Sequence, residues 1–251
     1  MRTIFVFIHL AIFFIVSFPA YLILLLLRKK NRRLSSVISQ KIVNYAFRFV
    51  TFPTGMKRVV LGLENVPKDT PVLYVSNHRS LADIPMAYIT VPNLMGFVAK
   101  VEIKKAPFLS WWMVLVNCLF LDRSDMRAGM KVILDGIDSI KQGYSIFIAP
   151  EGTRNQGAEL LPFKEGSLKM ADKTGCPIIP VAISGTDDVF ENSAPWIKKA
   201  TCVIEYGKPV YPDQLSKEER KAMGAYCRDI VTEMLKGHEQ YLVNNPSRKN
   251  K

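Results

Sequence analysis

A histidine and an aspartate stand five residues apart in Val75-Ser76-Asn77-His78-Arg79-Ser80-Leu81-Ala82-Asp83. At that spacing the carboxylate can accept from one ring nitrogen and leave the other free to take a proton, as a general base and its orienting acid would. Ser80-x-x-Asp83 also fits a capping box, and Asp83 alone fits a helix N-cap, so the spacing leaves a purely structural reading open. Two further stretches carry charge beyond short apolar runs: Leu119-Phe120-Leu121-Asp122-Arg123 and Ile148-Ala149-Pro150-Glu151-Gly152-Thr153-Arg154. A guanidinium is shaped to hold phosphate in a fork, so a base with two arginines points to proton removal beside a phosphorylated group. Taken singly, Arg123 could instead pair with Asp122 or Asp125, and Arg154 with Glu151.

These residues need a scaffold. Pro71-Val72-Leu73-Tyr74-Val75 reads as a buried strand, and Pro85 suits the first turn of a helix starting near Asp83. Further β-branched runs at Val59-Leu63, Leu94-Ala99, Cys118-Leu121, Ile146-Ala149, Ile178-Ile183 and Cys202-Tyr206 alternate with helix-length segments, notably Met126-Gln142 and Lys164-Thr174. The pattern predicts an α/β domain over residues 58–243, with a mixed, largely parallel sheet flanked by helices. Ligands of such sheets bind beyond the carboxyl ends of the strands, where all three charged stretches fall. Residues 216–241 read as one closing helix, and 244–251 as a solvated tail.

Residues 1–57 form a membrane-anchoring unit. Ile4 to Leu27 carries no charged side chain over 24 residues, against the roughly 20 needed to cross a bilayer. It exceeds a signal-peptide core and no small-x-small site follows, so it is expected to be retained, spanning or half-inserted. Leu34 to Val50 has helical apolar spacing and reads as an interfacial amphipathic helix or a helix packed on the domain. The net charge is +12, yet Arg28 to Arg58 holds nine basic residues and no acid. That placement points to anionic membrane lipids rather than nucleic acid, with the domain on the cytoplasmic face. The four cysteines lie in or beside apolar runs, no metal site is readable from His9, His78 and His238, and no cofactor motif is present. Pro107 to Val116 is apolar with two tryptophans, suited to a core helix, the wall of an apolar tunnel or the membrane interface.

Four ordered motifs, Asn77-His78-x4-Asp83, Phe120-Leu121-Asp122-Arg123, Pro150-Glu151-Gly152-Thr153-Arg154 and Ile179-Pro180-Val181-Ala182-Ile183, resemble those of the glycerolipid acyltransferases, most closely the 1-acylglycerol-3-phosphate O-acyltransferases. The resemblance covers about residues 58–210. It implies that His78 is the general base, Asp83 orients it, and Arg123 and Arg154 hold the acceptor phosphate beside Asn77. Glu151, Gly152 and Thr153 would shape the acceptor pocket, and Pro180 the wall beneath it. Asn117 stands where many members have Gly, Ala149 where Phe is usual, and Asn155 where Ser is frequent; none removes a group the chemistry needs.

That chemistry is self-consistent. An acyl thioester is already activated, so transfer requires only deprotonation of the attacking hydroxyl and stabilisation of the oxyanion, with Lys164 or backbone N–H groups as candidate donors. No G-x-S-x-G elbow supplies a protein nucleophile. The expected donor is acyl-CoA or acyl-carrier protein, the acceptor lysophosphatidic acid and the product phosphatidic acid. Glycerol 3-phosphate, another lysophospholipid or a lyso-aminolipid are alternative acceptors; thioester hydrolysis is the rival reaction, against which the two arginines stand because water does not need them.

Overall fold

The computed structural model describes residues 1–245. Two helices, α1 (Arg2–Lys30) and α2 (Arg32–Thr51), form a hairpin that turns at Asn31, whose side chain accepts from Leu34 N. After it come β1 (Lys57–Leu61), β2 (Leu73–Ser76), α3 (Asp83–Thr90), β3 (Met95–Lys100), α4 (Leu109–Leu115), β4 (Leu119–Leu121), α5 (Met126–Lys141), β5 (Ser145–Ile148), α6 (Glu165–Thr174), β6 (Ile178–Ser184) and β7 (Thr201–Tyr206). All seven expected strands form. They make one sheet in the order β1-β7-β6-β2-β5-β3-β4, parallel except where β6 meets β7.

The sheet is covered on both sides. On one, α1 to α4 pack Leu24, Val43, Met86, Tyr88, Trp112 and Leu115 against Tyr74, Phe97 and Phe147. On the other, Ile137, Ile140, Leu168, Met170 and Val231 pack on Leu73, Val75, Ile146 and Ile178. Strands buried on both faces are continuous apolar runs, which is why they are legible without alternation. Because β2 lies between β5 and β6, the loops after these three strands leave the same edge side by side.

The closing helix differs from expectation. Residues 216–241 form α7 (Lys217–Lys221), α8 (Met223–Gly237) and α9 (Glu239–Leu242). The Glu165 carboxylate accepts from Gly224 N at 2.8 Å and Ala225 N at 3.2 Å, so a distant side chain caps α8 and a fresh helix starts there. The second break is at His238, buried between Ser184 Oγ, 2.7 Å from Nδ1, and Glu205 Oε2, 3.0 Å from Nε2. Asn245, placed in the solvated tail by the sequence, is buried and bonds Thr201 and Asp188. Positions 246–251 of that tail lie outside the described residues.

Burial pushes the His238 ring below the ordinary histidine range, against the opposing pull of Glu205 and Glu239. The unfolded chain therefore binds more protons than the folded one as pH drops through about 6.5, and stability falls with pH across that window. His238→Gln is expected to flatten the slope of the thermal midpoint between about pH 7 and 5. An unchanged slope would show that the acid sensitivity arises elsewhere.

Candidate functional site

The backbone after β2 turns sharply through Asn77 to Ala82 before α3 begins. Asn77 locks the turn to the next strand in both directions: its Nδ2 donates to Ile183 O, and its Oδ1 accepts from Ile183 N, each at 2.8 Å. The His78 backbone is held between Glu151 and Asn155, donating to Glu151 Oε1 at 3.0 Å and accepting from Asn155 N at 2.7 Å. Its ring Nδ1 then lies 2.7 Å from Asp83 Oδ2. A carboxylate only accepts, so Nδ1 carries the proton and Nε2 is left with its lone pair.

Asp83 orients the ring but caps no helix: α3 begins at Asp83 itself, with Ala82 as its N-cap and no side-chain cap bond. Its Oδ2 also accepts from Arg79 N and Ser80 N, both at 2.9 Å, and its Oδ1 from Thr186 Oγ1 at 2.6 Å. It thus closes the turn and orients the ring with one oxygen. The carboxylate is almost fully buried whereas the His78 side chain keeps 21% of its surface exposed, so the pair presents the imidazole, not the carboxylate, outward.

The imidazole lines a cavity of about 600 Å³. Its polar lining includes Asn77, His78, Asp83, Arg123, Gly152, Thr153, Arg154 and Lys164; most of the rest is apolar, walled by Phe13 and Phe14 of α1, Val43 and Phe47 of α2, Trp112 of α4 and Val116 just after it. The apolar stretch around Trp111 and Trp112 accordingly divides: Trp112 is buried in the core and faces the cavity, while Trp111 is exposed. The strand register sets Lys100 beside Leu121, two residues before Arg123, and brings Lys100 into the same wall. Sequence reasoning missed Lys100 because it carries no motif.

Not every expected residue reaches the cavity. Glu151 is buried behind the wall, its Oε1 held by His78 N and its Oε2 by Asn155 Nδ2 at 2.8 Å and Leu161 N at 3.0 Å. Pro180 lies mid-strand in β6, where its carbonyl accepts from Gly207 N, and not in the cavity wall. The arginines also have other partners than the neighbours suggested by sequence. Asp122 accepts from Ser124, Asp125 caps α5, and among the described residues Arg123 enters no ion pair. Desolvation lowers the pKa of Arg123, opposed by the charge of Glu102. Arg154 pairs with Glu191 at 3.3 Å.

Glu191 belongs to a segment that the motifs did not single out. Residues 186–191, beyond β6, grip the His78–Asp83 turn at several points. Besides the Thr186 bond to Asp83, Asp187 accepts from Arg79 Nε at 3.2 Å. Glu191 accepts from Ser80 Oγ at 2.5 Å and Leu81 N at 2.9 Å. All four cysteines are free and buried; Cys118 lines the cavity, burial pushes its thiol up, and burial pushes that of Cys227 up to about 12.

Residues 57–184 match the acyltransferase family. A 1-acyl-sn-glycerol-3-phosphate acyltransferase of Saccharomyces cerevisiae is 31% identical over 185 residues, covering 72% of this chain and 61% of its own length. A 1-acyl-sn-glycerol-3-phosphate acyltransferase of Borreliella burgdorferi is 31% identical over 182 residues, covering 72% of each chain. The crystal structure of the 1-acyl-sn-glycerophosphate (LPA) acyltransferase PlsC from Thermotoga maritima superposes with a TM-score of 0.70 at 29% identity, covering 94% of this chain and 97% of that one. The family match, the similarity along the whole fold and the ordered motifs at the strand ends agree: the chain belongs to the acyltransferase family, with the 1-acyl-sn-glycerol-3-phosphate acyltransferases.

Proposed function

We propose that the protein transfers an acyl group from acyl-CoA or acyl-carrier protein to the free hydroxyl of 1-acyl-sn-glycerol 3-phosphate, giving phosphatidic acid. The observation that carries this reading is one cavity lined by the His–Asp pair, by the cationic side chains of Lys100, Arg123, Arg154 and Lys164, and otherwise mostly by apolar residues. A lysophospholipid likewise joins a charged group to an apolar one. His78 Nε2 removes the hydroxyl proton as the oxygen attacks the thioester carbonyl; the tetrahedral adduct collapses, the C–S bond breaks, and the thiolate recovers the proton from His78. Asp83 stabilises the transient imidazolium and keeps Nδ1 as the donor. Arg123 and Arg154, with Lys100 and Lys164 nearby, hold the phosphate.

The N-terminal hairpin supports placement in a membrane. α1 is long and apolar enough to cross one, yet both ends are tied to the domain. Thr3 Oγ1 accepts from Ile197 N at 2.9 Å, and Arg28 donates to Leu115 O at 3.2 Å and Asn117 Oδ1 at 3.1 Å. A helix laid along the domain with Ile4, Phe7, Ile15, Val16 and Ile23 facing outward suits insertion into one leaflet. The basic turn then lies at the anionic headgroups and the domain on the cytoplasmic face.

The test is incubation of the purified protein with oleoyl-CoA and lysophosphatidic acid, with glycerol 3-phosphate and no-acceptor controls, following thiol release and lipid product together. Phosphatidic acid that appears only with lysophosphatidic acid supports the reading. Thiol release without acceptor would make the protein a thioesterase, and product from glycerol 3-phosphate would move the acceptor one step back.

Gly152→Ala tests the geometry of the phosphate end. Gly152 has φ +75°, and a Cβ there would stand 3.0 Å from Lys164 Nζ. The variant is expected to lose about 1–2 kcal/mol of stability from the left-handed backbone, and to raise the acceptor KM by displacing Lys164. An unchanged KM would remove Lys164 from the binding set.

A further inference from the structure

At the far end of α1 from Thr3, two guanidinium groups converge on one neutral oxygen. Asn117 Oδ1 accepts from Arg28 Nη2 at 3.1 Å and from Arg32 Nη2 at 3.1 Å, while its Nδ2 donates to Ser36 Oγ at 2.9 Å. Arg28 Nη1 goes on to Leu115 O, and Arg32 Nη1 to Gln142 Oε1 at 2.7 Å. Every hydrogen-bond partner is an uncharged oxygen, the Arg32 guanidinium also lies over the Tyr144 ring, 5.2 Å from its centroid, and among the described residues no carboxylate pairs with either arginine. Hydrogen bonds are therefore satisfied while two like charges, Arg28 half-buried and Arg32 exposed, stand side by side with no anion between them. Arg28 is held below the usual arginine range by its burial and by Arg32.

Asn117 is suited to this place. It has φ +60°, the left-handed region that Asn tolerates better than most residues, and unlike Gly it brings an oxygen to both arginines. The exposed Leu26 and Leu34 flank the arginines on α1 and α2. A group that meets forked donors with a negative charge and the leucines with hydrocarbon is a phospholipid.

We infer that Arg28, Arg32 and Asn117 form a binding site for one anionic phospholipid headgroup, separate from the acyl-transfer cavity, which locks the hairpin turn to the α4–β4 junction. The inference rests on the membrane placement proposed above; a chain that floats with no vesicle would sink that placement, and the following titration reads the site alone.

The full chain in neutral-detergent micelles is titrated with phosphatidylglycerol, phosphatidylcholine and inorganic phosphate, and its thermal midpoint is followed. A ligand that binds the native state raises the midpoint, and phosphatidylglycerol alone is expected to do so. Asn117→Asp supplies the missing anion from within, so it should raise the basal midpoint and weaken the phosphatidylglycerol response about ten-fold or more. Lys29→Gln with Lys30→Gln removes two exposed charges from the same turn and should keep most of the response. A full response in Asn117→Asp, or an equal loss in the lysine variant, would show diffuse attraction and overturn the site. A midpoint raised as much by inorganic phosphate would overturn the lipid as its occupant.

Discussion

His78→Ala is expected to lose acyl transfer by about 10²–10⁴-fold, the usual contribution of a positioned general base, with little change in stability. Its ring makes one polar contact, to Asp83, and the backbone bonds that shape the turn do not involve the side chain. Asp83→Asn is the more discriminating companion. Three donors, from His78, Arg79 and Ser80, meet at Oδ2, and the fourth, Thr186 Oγ1, meets Oδ1. An asparagine can put its oxygen where Oδ2 stands and its NH₂ toward Thr186, whose hydroxyl can accept as readily as it donates. Geometry and fold are then kept and only the negative charge beside the imidazolium is lost. A fall in turnover of about 10²-fold or more with a nearly unchanged thermal midpoint would assign catalysis to that charge. Wild-type turnover in His78→Ala would overturn the mechanism outright.

The second large effect separates the two arginines. Arg123→Ala is expected to raise the acceptor KM by about ten- to a hundred-fold, as loss of a charge-assisted hydrogen bond of roughly 1.5–3 kcal/mol requires. Arg154→Ala should raise it less. Arg123 lines the cavity with no ion-pair partner among the described residues, only the more distant charge of Glu102, whereas Arg154 shares its charge directly with Glu191. Releasing that share should have the opposite sign: Glu191→Gln keeps an oxygen for Leu81 N, frees Arg154, and is expected to lower KM. Measuring KM and kcat for the three variants checks the order. An Arg154 effect exceeding that of Arg123 would mean that phosphate sits toward the mouth, near Glu191, and not beside β4.

What could be read without coordinates followed from short-range rules. The central strands are runs of β-branched and apolar residues buried on both faces, and the edge strands β1 and β4 carry similar runs only partly buried, so composition located all seven. His78 and Asp83 are legible as a pair because a turn of five residues brings them together whatever the rest of the chain does. The basic excess is legible because it is confined to Arg28–Arg58.

Other features are not encoded locally. Thr186, Asp187 and Glu191 lie more than a hundred residues from the turn they hold, and nothing in their own stretch distinguishes them from a solvated loop until β6 is placed beside β2. Lys100 enters the cavity only through the register of β3 on β4. Glu151 sits within a motif yet faces inward, because three donors from separate segments meet it behind the wall. The closing helix breaks because Glu165, from another helix, caps Gly224. Local spacing determined most of the elements and that one imidazole and one carboxylate meet; the pairing of strands distant in the chain decided which charges are compensated, which line the cavity without an ion pair, and how the N-terminal hairpin packs against the cavity. The physical reason is that a polar side chain's role depends on its partner, and a partner across the fold leaves no periodic trace in sequence.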